Sequence, residues 1–252
     1  MPARPADGRA AHVLRVMSYN VHDLRDDRAA AARVVRAVDP DVLCLQEVPR
    51  RLTTELRLPP FARACGLRWD GRRLGAGGTA VLTGPRVVVH GSRRGRLPVR
   101  FPDRTRGYAV ATVSLPGDGS ETVASAPVDV VSVHLGLRAP ERVRHAATVL
   151  ATLSARAVLA GDLNEGADGA AHRLVAARLP VVSSAEPTFP ADRPSVVIDV
   201  VFASPDLPRV PGAPVDVPER DLSSGSDHRP VWVDLALAPT THDQHDSHGP
   251  VT

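Results

Sequence analysis

Residues 157–166 read AVLAGDLNEG, a short apolar run closed by Gly161 and followed at once by Asp162, Asn164 and Glu165. An apolar run of that length, bounded by glycine, reads as a buried strand, and the polar residues then stand at its end. The arrangement recurs along the chain. Asn20 follows VLRVMSY, Glu47 follows DVLCLQ, and His134 ends VDVVSV. Asp199 interrupts the strand SVVIDVVFAS, and Asp227-His228 precedes VWVDL. Between these strands lie helical patterns. DDRAAAARVVRAV carries its acids at the N-terminal end, sets Ala31, Val34, Val35 and Val38 on one face and stops at Asp39-Pro40. A second helix opens at Pro140 with Val143, Ala146, Ala147, Leu150 and Leu153 on one face, and a third spans Gly169 to Arg178. GTAVLT, RVVVH, GYAVATVSL and PVWVDLAL add further strands. Some neighbouring strands are joined by tight turns and others by helices, so the chain is expected to be α/β, with a mixed sheet or sheets covered by helices.

The 252 residues suit one domain, expected over residues 12–238, with a loose Ala, Arg and Pro-rich start at 1–11 and a disordered His-rich tail at 239–252. His242, His245 and His248 in that tail are expected to have no function. The 31 basic residues are all Arg, and the net charge of +3 permits an anionic partner without choosing one. Residues 86–106 hold seven Arg against the single acid Asp103, which reads either as a solvated loop or as an anion-binding rim. Two Trp, two Tyr and four Phe are poor material for stacking a single-stranded nucleic acid. Cys44 and Cys65 have no metal or redox spacing, and Cys44 is expected to be a buried thiol. There is no apolar leader and no membrane-length apolar stretch, so a cytoplasmic, monomeric protein is expected.

Each strand-end polar residue alone has a plain structural reading: Asn20 in a turn, Glu47 or Asp162 as a cap, His134 at a sheet edge. Together they form what the rim of an α/β active site presents. The set holds acids, amides and imidazoles but no Ser or Cys with a nucleophile's local signature, which points to metal-assisted hydrolysis. Carboxylate and amide oxygens suit Mg²⁺, with Mn²⁺ the alternative. Asp199 is costly in an apolar strand unless a partner holds it, and His228 is the natural partner. Arg106, before GYAVATVSL, and Arg138, after His134, are candidate contacts for a substrate phosphate.

The pieces MSYNVH, DVLCLQE, GGTAVLT, VVSVHL, GDLNEG, VVIDVVFAS and SDHRP, in this order from Val13 to about Leu237, resemble the endonuclease/exonuclease/phosphatase superfamily. That superfamily includes pancreatic-type deoxyribonucleases, abasic-site endonucleases, neutral sphingomyelinases and inositol polyphosphate 5-phosphatases. The resemblance implies a four-layer α/β sandwich, two mixed sheets packed face to face with helices outside. It also implies that Glu47, with Asn20 and Asp227, holds Mg²⁺. Asp162 would activate the attacking water, Asn164 would position it, and His134 would assist the leaving oxygen. His228, paired with Asp199, would stabilise the phosphoryl charge. His134 stands where abasic-site enzymes carry Tyr, His22 where they carry an acid, and Asp23 where a Gly is frequent. Thr79 replaces a frequent Asn, and Val197 and Val200 replace Arg and Tyr. The expected activity is Mg²⁺-dependent hydrolysis of a phosphodiester, nuclease-like, with nucleic acid as a candidate partner. A phosphatase or phosphodiesterase acting on a small-molecule or lipid phosphoester is the alternative, and a non-catalytic phosphate-binding module is a second one.

Overall fold

The computed structural model describes residues 10–50, 52–71, 76–117 and 124–238. Residues 1–9 of the expected loose start, and the whole His-rich tail, lie outside the described residues. Along the chain run β1 (Val13–Asn20), α1 (Arg28–Val38), β2 (Val42–Gln46), α2 (Leu52–Ala64), β3 (Arg68–Trp69), β4 (Ala80–Thr83), β5 (Val88–Leu97) and β6 (Arg106–Ser114). Then come β7 (Val128–His134), α3 (Ala139–Leu150), β8 (Ala157–Asp162), α4 (Ala170–Ala176), β9 (Asp199–Ala203), β10 (Arg209–Val210), α5 (Glu219–Gly225) and β11 (Val231–Ala236).

The strands form two mixed sheets, one ordered β10-β11-β1-β2-β4-β3 and the other β5-β6-β7-β8-β9. Each has one parallel pair, β1 with β2 and β7 with β8, and each pair is linked by a crossover helix, α1 or α3. Three apolar clusters separate four layers. Leu14, Val16, Val42 and Cys44 from the first sheet meet Val113, Val130, Val158 and Val201 from the second. The first sheet's other face packs Met17, Leu43 and Leu45 on Val34, Val35, Leu58 and Phe61 of α1 and α2. The second sheet's other face packs Val131, Leu159 and Phe202 on Ala146, Val149 and Val175 of α3 and α4. The protein is therefore the expected sandwich of two sheets flanked by helices, and no helix among the described residues is long and apolar enough to cross a membrane.

Local chemistry explains most of these elements. Asp27 caps α1 by accepting hydrogen bonds from the Ala29 and Ala30 amides, and Asp39 ends it in the left-handed region at φ 50°. Several details differ from the sequence reading; one is that β9 begins at Asp199, so that Asp199 opens this strand and does not interrupt it. On α3, Ala147 faces solvent, and the buried face runs through His145, Ala146, Val149 and Leu150, because Glu141 and His145 are drawn inward by hydrogen bonds to the Arg100 amide and the Pro98 carbonyl. The arginine-rich stretch is not a loop throughout: residues 88–97 form β5, bulged between Val89 and Gly91. Helix α2 was hidden by Pro59 and Pro60 within it, and buried Leu58, Phe61 and Ala62 override that local penalty. Helix α5, short and polar, has no apolar period to reveal it.

Candidate active site

The strand register lines up the polar residues. In the second sheet, His134 on β7 stands opposite Asp162 on β8, and Asp162 stands opposite Asp199 on β9. Three adjacent strands thus present one polar row. Gly161 permits it, since a Cβ there would lie 2.0 Å from the Val133 carbonyl oxygen. Asn20 ends β1 of the facing sheet, and its amide nitrogen donates to Asp162 Oδ2 at 3.0 Å. His228, three residues before β11, completes the group with Nε2 3.4 Å from the Asn20 amide nitrogen and 3.9 Å from Asp162 Oδ2.

Asp162 is the hub. Oδ1 accepts the Asn164 amide at 2.8 Å, and Oδ2 lies 3.3 Å from His134 Nε2 in addition to its Asn20 bond. Burial, then the nearby charge of Asp199, raises the Asp162 carboxyl to about 7. Asp199 is fully buried; its Oδ2 accepts from Thr188 Oγ1 at 2.7 Å and meets His228 Nδ1 at 2.9 Å, while Oδ1 has no partner. Burial opposes charge on His228, but the Asp199 charge and hydrogen bond outweigh it and raise the imidazole to about 9. At neutral pH His228 is therefore the protonated partner, donating Nδ1–H to Asp199. His134 goes the other way. Burial, with Arg106 and His228 nearby, holds it well below the usual histidine range, and its Nδ1 is buried without a partner. Two imidazoles around one carboxylate thus differ in charge, which separates donor from neutral base.

The remaining expected site residues are placed as follows. Glu47 follows β2 at φ 49°, and its one ion pair among the described residues is with Arg106, whose Nη1 is 3.8 Å away. Asn164 has φ 53° and donates its side-chain amide to the Leu135 carbonyl at 3.0 Å. Asp227 turns from the row: its Oδ1 lies 3.9 Å from His22 Nδ1, which is 2.8 Å from Asp26. Arg106 is buried beside the row, and its Nη1 has no hydrogen bond. Arg138 is held at the surface by Asp103, with Nε 3.0 Å from Oδ2. The structure therefore joins Asn20, His134, Asp162, Asp199 and His228 directly, sets Glu47 and Arg106 together, and leaves Arg138 apart.

Several contributors were not singled out in the sequence. Thr188 holds Asp199, Ser226 donates Oγ–H to the Asn20 carbonyl at 2.7 Å, and Phe189 packs on the His228 ring with centroids 4.8 Å apart. Nothing local marks Thr188 or Phe189; Ser226 lies within the SDHRP motif. Beneath the row, Gln46 donates to Ser132 Oγ at 3.0 Å and Ser132 donates to the Leu45 carbonyl at 2.7 Å, a polar tie between the sheets. Arg50 donates to the Gly77 carbonyl at 3.0 Å, but its Nε is buried without a partner. Burial and the adjacent Arg106 and Arg104 charges push its guanidinium below the usual range.

The fold is an α/β sandwich of two mixed sheets with a buried carboxylate-imidazole row at the strand ends. The Endonuclease/Exonuclease/phosphatase family matches residues 17–228, and the chain belongs to that family. A solved endonuclease/exonuclease/phosphatase from Beutenbergia cavernae is 26% identical with a TM-score of 0.65, covering 90% of this chain and 72% of that one. A mannosyl-6-phosphatase from Bacteroides thetaiotaomicron shares the fold at 18% identity and TM-score 0.67, covering 89% of this chain and 100% of that one. The catalytic domain of human Nocturnin with bound sulfate does so at 18% identity and TM-score 0.64, covering 90% and 95%. No curated protein matches the sequence.

Proposed function

We propose that the protein is a divalent-metal-dependent phosphoesterase that cleaves a P–O bond by direct attack of water. The observation that carries this reading is the row His134–Asp162–Asp199, closed by Asn20 and His228 from the facing sheet. Asp162 Oδ1 accepts one hydrogen bond, from the Asn164 amide, which leaves it a second lone pair to orient a water and to take its proton. His228, charged and fixed by Asp199, donates from Nε2 to a phosphoryl oxygen as negative charge builds there. His134, neutral and 3.3 Å from Asp162, is placed to take the proton that Asp162 removes from water and pass it to the leaving oxygen.

The donor set fits a hard cation. The Glu47 carboxylate accepts no hydrogen bond among the described residues, and the Asn20 side-chain oxygen accepts only the His22 amide at 3.1 Å. Glu47 and Asn20, with Asp227 at the rim, would hold Mg²⁺ or Mn²⁺, which supplies charge neutralisation on the phosphoryl oxygens when bound. Arg106 faces the same carboxylate and can contact the phosphate as well.

The test is a hydrolysis panel with Mg²⁺: supercoiled plasmid, single-stranded DNA, RNA, an abasic duplex, sphingomyelin, inositol phosphates and bis(p-nitrophenyl) phosphate. Turnover of at least one member is expected, abolished by a chelator and in His228→Ala. Full activity in that variant, or with the chelator, would sink the proposal. Calorimetry should show Mg²⁺ or Mn²⁺ binding weakened in Glu47→Gln, and equal binding in the variant would remove Glu47 from the ligand set.

A further inference from the structure

A cavity of about 840 Å³ opens beside the polar row. Val48, next to Glu47, and Thr105, next to Arg106, are in its wall, so it begins where the candidate site ends. We propose that this cavity holds a second phosphate group of the substrate, so that the protein acts on a small molecule with two phosphates, one hydrolysed at the row and one gripped by arginine. The substrate class rests on the phosphoesterase reading above.

The charge of the wall supports this. Arg25, Arg50, Arg57, Arg96 and Arg104 line it against only two acids, Asp23 and Asp103. Those acids are already engaged. Asp23 Oδ2 pairs with Arg104 at 2.8 Å and with Arg25 at 3.2 Å, and Asp103 is the partner of Arg138. Arg57 points at the Asp23 and Leu24 carbonyls. Arg50 keeps a buried Nε–H with no acceptor, and Arg96 is exposed with no charged partner among the described residues. Clustered guanidinium groups with spare donors match a phosphate, which accepts several charge-assisted hydrogen bonds at once.

The cavity also has a body for the rest of the molecule. Trp69 forms part of the wall, and Phe101 stands at its edge almost wholly exposed. Gly77 brings the floor in close, since at φ 58° a Cβ there would lie 2.2 Å from the Arg106 carbonyl. A volume of this order is that of a small-molecule site, roughly 300–1,000 Å³.

Calorimetry on the full chain carrying Asp162→Asn, with Mg²⁺ present, measures binding without turnover. Fructose 1,6-bisphosphate should bind about tenfold or more tightly than fructose 6-phosphate. Arg96→Gln, a surface change that spares the fold, and Arg50→Gln should each reduce that ratio by about threefold or more. Equal affinity for the two sugars, or an unchanged ratio in both variants, overturns the proposal. So does a twelve-residue single-stranded DNA that displaces the bisphosphate at lower concentration, which would assign the cavity to a polymer. The two readings fail separately. Loss of the bisphosphate preference with hydrolysis intact removes the second-phosphate site alone; a persistent preference with no hydrolysis across the panel removes the enzymatic reading and leaves the anion site.

Discussion

Strand β1 carries buried polar groups at both ends, and they are treated in opposite ways. At its start, Arg15 donates Nε–H and Nη2–H to the two oxygens of Asp234 at 2.7 and 2.8 Å and Nη1–H to the Val38 carbonyl at 2.8 Å. Its own amide donates to Asp41, whose carboxylate also takes Arg86 at 3.1 Å. Each charge meets its counter-charge in a bidentate or shared bond. At the other end, Asn20 enters a group of two acids and two histidines in which Asp199 Oδ1 and His134 Nδ1 are buried without a hydrogen bond, as is Nη1 of the adjacent Arg106. Unmet buried polar groups destabilise a fold, so a structure that completes one end of a strand and leaves the other incomplete has a use for the incomplete one. The first network ties β1 to β11 and α1; under the proposed function, the second is left to meet the substrate.

That contrast can be broken by substitution. The largest effect is expected for Asp162→Asn, which should lower turnover by about 1,000-fold or more while the melting temperature stays near that of the wild type. Next comes Asp234→Ala at the opposite end. It strands the Arg15 guanidinium and should cost about 3–5 kcal/mol in chemical denaturation, leaving turnover of the folded fraction intact. A stable Asp234→Ala protein would remove the structural role assigned to that pair.

A smaller effect is expected at Asp129 on β7, a third kind of buried acid. Burial works against its charge, but the Arg93 guanidinium at 2.6 Å, the Ser154 amide and Thr112 hold its carboxyl far below the usual range. A depressed folded value means that the contribution is fully present above the unfolded carboxyl's value of about 3.9 and is lost as pH falls below it. Asp129→Asn should therefore cost about 2 kcal/mol at pH 7, and the gap from wild type should close as pH drops below about 4. A gap that does not change with pH would show that the pair contributes no charge-dependent stability. The smallest effect belongs to Arg138→Ala, whose surface pair with Asp103 should contribute below about 1 kcal/mol in the same denaturation experiment.

The legible part of the molecule was the part written in local patterns. The period of Ala31, Val34, Val35 and Val38 and the acids at the N-terminal end disclosed α1, and short apolar runs disclosed most of the strands. The polar row was legible because a charge in an apolar strand, as at Asp199, is costly enough to stand out. What makes the row a row was not legible: only the register of β7, β8 and β9 brings residues 28 and 37 positions apart side by side. Helix α2 escaped because Pro59-Pro60 speaks against a helix locally and burial of Leu58 and Phe61 decides otherwise. The arginine cavity escaped for a similar reason, since its wall is gathered from the segments around Asp23, Arg50, Thr79 and Arg104. The sequence showed an excess of arginine near residue 96 but not which of those arginines are paired. Arg93 is committed to Asp129 and Arg86 to Asp41, whereas Arg96 lines the cavity with no charged partner among the described residues.

The most direct test is the rate at which Asp162→Asn hydrolyses whichever panel substrate the wild type cleaves in Mg²⁺, measured on protein whose melting curve matches the wild type. A fall of about 1,000-fold or more is the predicted result. A folded Asp162→Asn protein that turns over at the wild-type rate would contradict the catalytic assignment of the row.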